Sequence, residues 1–379
     1  MRKLDFLFFD AGGGHRSAAT ALKRAIEEQH RPWEVRLVNL QELLDPLDLF
    51  RKLFGIRLQD VYNLMLKKGW TLGSAPLVVG MHALIRLYHP RQVRLLEKFW
   101  RDRDVDLVVS LIPNFNRALA ESLQQVRPGT PFATILTDLA DWPPHFWIER
   151  ESEYLICGSD RAVEQARALG HPDSRISRAS GMILQPRFYQ PVAVDRRAER
   201  ERLGLDPDLP TGLVLFGGQG SSAITGIADR LAGSGLKLQL ILICGRNRRL
   251  YERLRARKLS IPVFVEGFTT EIPYYMHLSD FFIGKPGPGS ISEALAMKLP
   301  VIVERNAWTL PQERYNADWV VEQGVGMVLP NFRGVSDAVR QLLAPDNFAR
   351  YRGCAAVLDN RAVFEIPGFL AKILGEPAD

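Results

Sequence analysis

The chain has 379 residues, a length that suits two domains better than one, and its 46% hydrophobic and 24% charged residues exclude a disordered chain. Lysine and arginine number 49 against 43 acidic residues, and the formal net charge of +6 favours an anionic partner such as a nucleotide, nucleic acid or an acidic membrane surface. Since no uninterrupted apolar stretch reaches about 18 residues, the sequence predicts no membrane-spanning helix.

Cysteine usage and the first residues indicate a reducing compartment. Cys157, Cys244 and Cys354 lie far apart and have neither a metal-binding nor a disulfide spacing. The first 15 residues do not have the pattern of a signal peptide, because Asp5 interrupts the apolar stretch and a glycine turn ends it. We therefore expect a cytoplasmic protein.

The first half of the chain alternates strand and helix patterns. A helix-like run covers residues 17–29, and apolar or alternating runs predict strands at residues 4–9, 33–40, 106–111, 132–136 and 154–157. This alternation is typical of the βαβ units of a parallel sheet.

The pattern breaks near residue 181, where prolines and a charged stretch at residues 195–202 predict a linker followed by an exposed helix. Further strands are predicted at residues 213–216, 238–244, 263–266, 281–283 and 300–303. Two α/β halves would leave a cleft between the carboxyl ends of two sheets, where open α/β folds bind ligands. We predict a first domain at residues 1–183, a linker and helix at 184–208, a second domain at 209–350, and a helical segment at 351–379 that can pack back on the first domain.

The segment GKPGPGSISEAL, residues 284–295, predicts a nucleotide-diphosphate site. Three glycines and two prolines precede a helix-like stretch that carries Ser290, Ser292 and Glu293 in its first turns. Such a helix directs free N–H groups and the positive end of its dipole at the turn, which favours phosphate. The early carboxylate could cap the helix or bind a ribose hydroxyl pair. The alternative is an ordinary strand–turn–helix junction.

A second turn, GGQGSS at residues 217–222, follows the first strand of the second half. It lacks the GxGxxG dinucleotide pattern, and no acidic residue lies at the expected distance beyond it, so an NAD site is not favoured. The turn fits a loop that contacts phosphate or sugar. Because the turn at residue 284 has no Walker A ending, nucleotide hydrolysis by a P-loop is not expected either.

A third turn, GGGH at residues 12–15, follows the first strand of the chain. The absence of side chains at Gly13 and Gly14 would let a substrate lie against the backbone. His15 could act as a general base, because histidine titrates near neutral pH; the alternative is a phosphate turn with an incidental histidine. Asp138, directly after a strand, could orient His15, hold an acceptor or cap the next loop.

Two other segments are candidates for binding. Gln312 and Glu313 follow a proline-containing loop, and adjacent amide and carboxylate groups can bind vicinal sugar hydroxyls, although simple surface exposure is the alternative. Residues 69–85 contain no Asp, Glu, Lys or Arg, include Trp70 and are followed by Arg86. This composition is typical of a segment at a membrane interface with basic residues near lipid headgroups; a loop packed inside the domain is the alternative.

With these motifs the chain resembles the GT-B glycosyltransferases of the monogalactosyldiacylglycerol synthase family, which is related to the peptidoglycan N-acetylglucosamine transferase. The similar segments follow the family's order over most of the chain. They are DAGGGHRSA (residues 10–18), TDL (137–139), GMILQPRFYQP (181–191), LFGGQG (215–220), LILICGRNRRL (240–250), VEGFTTEIPYYM (265–276) and GKPGPGSISEALAMKLPVIV (284–303), with Gln312 and Glu313 behind them.

The resemblance implies a GT-B fold, in which two Rossmann-like domains face each other across a cleft, and a UDP-sugar site in the second domain. Phe268 would lie beside uracil, Glu293 would bind the ribose, and Arg246 would contact the phosphates. Gln312 and Glu313 would hold the sugar. The implied pyrophosphate contacts are Gly218, Gln219, Gly220, Ser221, Gly287, Pro288, Gly289 and Ser290.

The resemblance further implies an inverting hexosyltransferase whose first domain binds a lipid acceptor. A lipid hydroxyl, with diacylglycerol as the expected acceptor, would attack a UDP-sugar carrying galactose or glucose, while His15 removes the proton. No cofactor or metal is required. Gly13, Gly14, Trp70 and Arg86 would lie on the acceptor and membrane side, and the protein would contact an anionic membrane surface peripherally. No nucleic-acid motif is found.

Three alternatives stay open at this point. One is a lipid-linked N-acetylglucosamine transferase, the second a UDP-sugar epimerase of the GT-B type, and the third a relative that binds sugar nucleotides or lipids without catalysis. An epimerase would need additional carboxylates in the cleft and no segment that faces lipid, so residues 69–85 weigh against it.

Overall fold

A six-stranded parallel sheet forms the N-terminal half. The computed structural model of the chain describes residues 1–10, 13–44, 74–151 and 153–377, with the backbone alone for residues 74–84 and 86. The strands are β1 (Arg2–Phe8), β2 (Trp33–Asn39), β3 (Leu107–Ser110), β4 (Phe132–Ile135), β5 (Tyr154–Cys157) and β6 (Ile176–Arg178). They lie in the order β2-β1-β3-β4-β5-β6, with every neighbouring pair parallel.

A second six-stranded sheet forms the C-terminal half. Its strands are β7 (Thr211–Leu215), β8 (Gln239–Ile243), β9 (Val263–Glu266), β10 (Phe281–Gly284), β11 (Val301–Glu304) and β12 (Gly326–Leu329). They lie in the order β12-β11-β10-β7-β8-β9, again all parallel. The predicted α/β class with two Rossmann-like sheets is confirmed.

Helices join the strands and cover the sheets. In the first half they are α1 (Gly14–Glu28), α2 (Leu40–Leu44), α3 (Ser74–Arg101), α4 (Asn116–Val126) and α5 (Asp160–Ala168). In the second half they are α6 (Arg196–Arg202), α7 (Ala223–Ala232), α8 (Arg248–Arg255), α9 (Ile272–His277), α10 (Pro288–Ala296), α11 (Arg314–Glu322), α12 (Val335–Leu342), α13 (Pro345–Val357) and α14 (Ala362–Ile373).

Both faces of the first sheet are buried, which explains its nearly continuous apolar strands. Phe6 and Phe8 pack in a cluster that includes α1 and α14, whereas Leu7, between them, packs with α3 and α4 on the opposite face. Successive side chains of a strand point to opposite faces, so a strand that is covered on both sides is mostly apolar, and the buried Asp5 of β1 is paired with Arg36 and Arg103. The predicted strands therefore agree with β1 to β5 to within one or two residues, whereas the edge strand β6 is not predicted.

Helix α1 begins at Gly14, three residues before the predicted start. Gly13 precedes it in the left-handed region, with φ of 80°, and the Ser17 amide donates to the Gly13 carbonyl over 3.1 Å. Because glycine adopts positive φ without steric cost, the chain turns sharply after β1 and directly enters the helix. The consequence is that His15 lies in the first turn of α1.

The C-terminal helix α14 crosses back to the first half and packs against α1. Val363 packs on Ala21 and Ala25 of α1. Upstream of α14, the Asn360 amide donates to the Met182 carbonyl over 2.8 Å, and a Cβ on Gly181 would lie 2.6 Å from Asn360. The segment just before the linker is therefore in close contact with the chain that leads into α14.

The helix α6 is mostly exposed, as predicted for residues 195–202, but one of its arginines is buried. Arg200 is only 4% exposed, donates to the Leu278 carbonyl over 2.9 Å and forms an ion pair of 2.8 Å with Asp280. The charged sequence concealed this role, because an arginine can be buried when a carboxylate and carbonyl groups take up its donors.

The predicted membrane segment is covered only in part. Trp70 lies outside the described residues, and the side chain of Arg86 is not described. From Ser74 the backbone is helical as the first part of α3, and Leu87, the next described position after residue 86, is 75% exposed. Among the helices of the described ranges, none is both long and apolar enough to cross a membrane.

Candidate active site

His15 is held at the N-terminus of α1 by contacts from two strand ends. Its Nδ1 lies 3.2 Å from Thr137 Oγ1, and its ring is also hydrogen-bonded to the backbone of Leu111. Burial lowers the pKa of His15 to about 4, although the Leu111 contact opposes the shift. The imidazole is therefore neutral at pH 7 and available to accept a proton.

Asp138 is connected to His15 through Trp147. The indole N–H of Trp147 donates to Asp138 Oδ2 over 2.9 Å, and the same indole ring lies 5.9 Å from the imidazole of His15 between ring centroids. Trp147 is completely buried, so this arrangement is fixed. Asp138 thus helps to fix the position of Trp147, whose ring lies beside His15.

Asp138 also interacts with charged groups of the second half. Burial raises the pKa of its carboxyl to about 7; the Trp147 hydrogen bond opposes this shift, the negative charge of Glu313 adds to it, and the positive charge of Lys285 opposes it. Because electrostatic interaction weakens with distance, the loop after β4 lies on the side of the cleft that faces Lys285 and Glu313 of the second half.

Lys285 and Glu313 form the ion pair on the second side of the cleft. Lys285 Nζ lies 2.7 Å from Glu313 Oε1. Glu313 is 8% exposed, whereas the Lys285 side chain is 40% exposed. Burial acts to lower the pKa of Lys285, but the charge and the hydrogen bond of Glu313 raise it overall, so Lys285 is a cation at neutral pH.

Two of the glycine turns lie side by side, because their strands are neighbours. Gly284 of β10 pairs with Leu215 of β7, so the turns that follow these parallel strands leave the sheet at the same edge. Behind the turn after β10, the completely buried side chain of Asn316 donates to the Pro286 carbonyl over 2.9 Å. The turns predicted to hold pyrophosphate are thus adjacent and anchored.

The turn after β7 is supported by the turn after β8. The Arg246 amide donates to the Gly218 carbonyl over 2.8 Å. A Cβ on Gly245, where φ is 58°, would lie 2.5 Å from the same carbonyl oxygen. Gly218 and Gln219 are exposed, whereas the Ser221 hydroxyl accepts from the Ala223 amide over 3.2 Å at the start of α7.

Next to this contact lies a cavity of about 400 Å³ whose wall includes an arginine–aromatic pair. The Arg246 guanidinium lies over the Phe268 ring, 3.9 Å from its centroid, and Phe268 is 51% exposed. The cavity is lined by Gly245, Arg246, Arg248, Tyr251, Glu252, Gly267 and Phe268. A cavity of this size beside an exposed aromatic ring suits a planar base.

Helix α10 begins directly after the turn at residue 287, with Pro288 in its first turn and Gly289 exposed. One turn further, burial raises the pKa of Glu293 to about 7, and the charge of Arg187 opposes that shift. Ser290 is half-buried on the same first turn. Glu293 is therefore a carboxyl group that is easily protonated, within the helix whose N-terminus follows the turn.

Gln312 and Glu313 lie in a 3₁₀ turn, Pro311–Glu313, that leads into α11. Gln312 is half-buried and Glu313 is buried. A methyl group placed on Gly287 would lie 3.7 Å from Glu313 Oε1. This pair is therefore adjacent to the turn at the start of α10, as a sugar attached to a bound diphosphate would require.

The sequence did not single out two residues that are central to the cleft. Lys285 directly follows the central strand β10, and a cation at the carboxyl end of such a strand is the signal that could identify it. Trp147 gives no comparable signal, since a buried tryptophan is an ordinary core residue until its indole N–H is seen to reach Asp138.

Comparisons with known proteins agree with this architecture. The glycosyltransferase family 28 C-terminal domain matches residues 213–347. The monogalactosyldiacylglycerol synthase of Spinacia oleracea is 30% identical over 362 residues, which cover 91% of this chain and 66% of that protein. The probable monogalactosyldiacylglycerol synthase 3 of Oryza sativa subsp. japonica is 30% identical over 361 residues, 90% of this chain and 68% of that one.

The chain therefore spans slightly less than two thirds of the spinach protein. Among solved structures, the S. aureus MnaA–UDP co-structure superposes with a TM-score of 0.63 at 14% identity and covers 100% of both chains, a likeness of fold alone. The two facing parallel sheets are those of the GT-B fold. Together, the fold and the match to the rice protein show that the chain belongs to the monogalactosyldiacylglycerol synthase family of GT-B glycosyltransferases.

Proposed function

We propose that the chain transfers a hexose, galactose or glucose, from a UDP-sugar to a lipid hydroxyl, with diacylglycerol as the expected acceptor. The observation that carries the proposal is that Asp138, linked to His15 through Trp147, interacts electrostatically with Lys285 and Glu313 of the second half. The names of the relatives support the lipid product, and the UDP in the MnaA structure supports the donor class.

The donor would lie along the carboxyl edge of the second sheet. Uracil would occupy the cavity beside Phe268 and Arg246, and the ribose would lie near Glu293. The pyrophosphate would lie between the adjacent turns after β7 and β10, at the N-terminus of α10, where free N–H groups favour anions. This order leaves the sugar next to Gln312 and Glu313.

The transfer would occur in a single displacement. The acceptor oxygen forms a bond to the anomeric carbon while the bond from that carbon to the β-phosphate oxygen breaks, and the configuration at this carbon inverts. His15, neutral at pH 7, takes the hydroxyl proton. The developing charge of UDP is met by helix N–H groups and nearby basic residues, so the reaction requires no metal.

The acceptor would reach the cleft from a membrane surface that the protein contacts peripherally from the cytoplasm. In the described part of α3, the exposed residues include Leu87, Arg91 and Arg94, and Lys98 and Arg101 continue the basic surface. An apolar residue followed by exposed cations suits an interface with anionic lipids. Residues 69–85, Trp70 and Arg86 belong to the same proposed surface by sequence.

Product analysis tests the whole proposal. Purified protein is incubated with UDP-galactose or UDP-glucose and liposomes that contain diacylglycerol, and the extracted lipids are identified by mass. A β-hexosyl-diacylglycerol, with its anomeric configuration read by NMR, would support donor, acceptor and inversion together. UDP release without a glycolipid would contradict the acceptor, and conversion of the UDP-sugar to an epimer would contradict the transfer itself.

A single substitution tests the base. His15→Ala should abolish transfer and leave UDP affinity intact, because His15 lies on the acceptor side of the cleft. His30→Asn, just after the C-terminus of α1, is the matched control. It removes an exposed histidine whose φ of 54° is a conformation that asparagine tolerates. Near-normal turnover of His15→Ala would show that another group is the base.

A further inference from the structure

Lys285 lies where the two glycine turns approach each other. A methyl group placed on Gly287 would be 3.3 Å from Lys285 Cε and 3.6 Å from Nζ, and one placed on Gly217 would be 3.9 Å from Cε. The lysine side chain therefore runs between the turn after β7 and the turn after β10. Both turns are free of side chains at the positions that face it.

The ammonium group is paired on one side and open on the other. Its partner, Glu313, is buried, but the lysine side chain keeps 40% of its exposure. A lysine ammonium has three N–H donors, of which Glu313 Oε1 takes one at 2.7 Å. The remaining donors can therefore bind a ligand in the cleft while the ion pair persists.

The charges around Lys285 indicate that the binding of an anionic ligand requires this lysine. Asp138 from the first half and Glu313 from the second both act electrostatically in this region. Without the lysine, a diphosphate would enter a region that holds two carboxyl groups and would be repelled. The Arg246 guanidinium lies over Phe268, beside the proposed base site.

We propose that Lys285 is a donor-binding residue whose ammonium group binds the diphosphate of the UDP-sugar, with Glu313 positioning that ammonium group. The inference rests on the proposed UDP-sugar site. During transfer Lys285 would remain bound to the diphosphate as the bond to the anomeric carbon breaks, and so would stabilise the departing UDP. Glu313 would then contact both the sugar and the cation beside its leaving group.

Binding of UDP and of uridine, measured separately by calorimetry, tests the assignment. Lys285→Gln should weaken UDP binding about tenfold or more, since a charge-assisted contact is lost, and should leave uridine binding within about twofold. Lys237→Gln, at the opposite edge of the sheet before β8, is the matched control and should change neither affinity. Thermal unfolding monitored by circular dichroism verifies that each variant is folded.

A second pair of variants tests whether Lys285 binds the diphosphate itself or only neutralises the charge of Glu313. Glu313→Gln breaks the same ion pair but keeps the ammonium group, so UDP binding should be retained. The double variant Lys285→Gln with Glu313→Gln has no unpaired buried carboxylate. Its UDP affinity should nevertheless stay as low as that of Lys285→Gln, because the ammonium group is missing. Recovery of wild-type UDP affinity in the double variant would overturn the assignment.

The same titrations distinguish a failure of the proposed UDP-sugar function from a failure of the Lys285 assignment alone. If the wild-type protein is folded but binds no UDP, the proposed UDP-sugar function fails, and the assignment of Lys285 fails with it. If the wild-type protein binds UDP and Lys285→Gln binds UDP and uridine as the wild type does, only the assignment of Lys285 fails. A loss of UDP binding without a loss of uridine binding supports both.

Discussion

His15 Nδ1 lies 3.2 Å from Thr137 Oγ1, although the two residues are 122 positions apart in the chain. The contact joins the first turn of α1 to the loop after β4, where Asp138 follows. It fixes the orientation of a ring that burial keeps neutral. In the proposed reaction this orientation decides whether the lone pair of His15 faces the acceptor hydroxyl.

Thr137→Val should therefore slow the reaction without weakening donor binding. The substitution keeps the shape of the side chain and removes the hydroxyl group, so we expect kcat to fall about tenfold while KM for the UDP-sugar stays unchanged. Steady-state kinetics with liposomal diacylglycerol measure both. Thr20→Val, on the exposed surface of α1, is the control; equal kcat for the two variants would contradict a positioning role of Thr137.

The raised pKa of Asp138 predicts a pH dependence of catalysis. Its carboxyl ionises at about pH 7 under the influence of burial, Trp147, Glu313, Lys285 and Asp141. Because the ionised form stabilises positive charge on the nearby His15, kcat should rise as the pH increases through about 7. Asp138→Asn should have a lower kcat without this rise. A wild-type profile that is flat from pH 6 to 8 would contradict the role.

The same shift predicts that Asp138→Asn is more stable than the wild type at alkaline pH. The folded-state pKa lies above the ordinary value of 3.8, so the contribution of Asp138 to stability is greatest below pH 4 and is lost as the pH rises to about 7. At pH 8 the variant should gain up to about 4 kcal/mol in the free energy of unfolding, measured by urea denaturation.

Glu153→Gln separates this stability effect from catalysis. Burial raises the pKa of Glu153 to about 8, while its hydrogen bonds with the Thr134 hydroxyl and the Glu149 backbone oppose the shift. By the same argument the variant should be stabilised above pH 8. Since Glu153 has no part in the proposed chemistry, Glu153→Gln should keep the rise of kcat near pH 7. If this variant loses the rise, Asp138 is not the source of the rise.

The close approach at Gly245 should make that glycine necessary for donor binding. Gly245→Ala would place a Cβ 2.5 Å from the Gly218 carbonyl oxygen and push the turn after β7 away. We expect a loss of about 1–3 kcal/mol in stability and a clear loss of UDP affinity. Gly235→Ala is matched in φ, 70° against 58°, but has open space around it, so it should be strained without losing UDP affinity.

The exposed ring of Phe268 should contribute to uracil binding and not to phosphate binding. Phe268→Leu should weaken UDP and uridine by the same factor, about 3- to 10-fold, because stacking on the ring is lost in both cases. Tyr351→Leu, which removes another arginine–aromatic pair with a separation of 4.6 Å, should leave both affinities unchanged. Unequal losses of UDP and uridine would contradict the assignment of Phe268 to the base.

Much of the fold could be predicted from the sequence, because its signals are local. The interior strand β5, which coincides with its predicted residues, has the apolar sequence YLIC, and the edge strand β9 is predicted from its apolar run at residues 263–265, which precedes Glu266. The edge strands β6 and β12 escaped prediction because they are short and only partly buried, so selection for apolar residues is weak there. The start of α1 was displaced because a glycine in a helix gives no helical signal.

The sequence by itself determined two parallel α/β halves and the three glycine turns at the carboxyl ends of their strands, since apolar periodicity and glycine content depend on near neighbours in the chain. Only the tertiary structure decided that Lys285 pairs with Glu313, 28 positions away, that Trp147 connects Asp138 to His15, and that burial separates the pKa values of these groups. Electrostatic coupling depends on distance and burial in the folded protein, and neither is encoded at any single position.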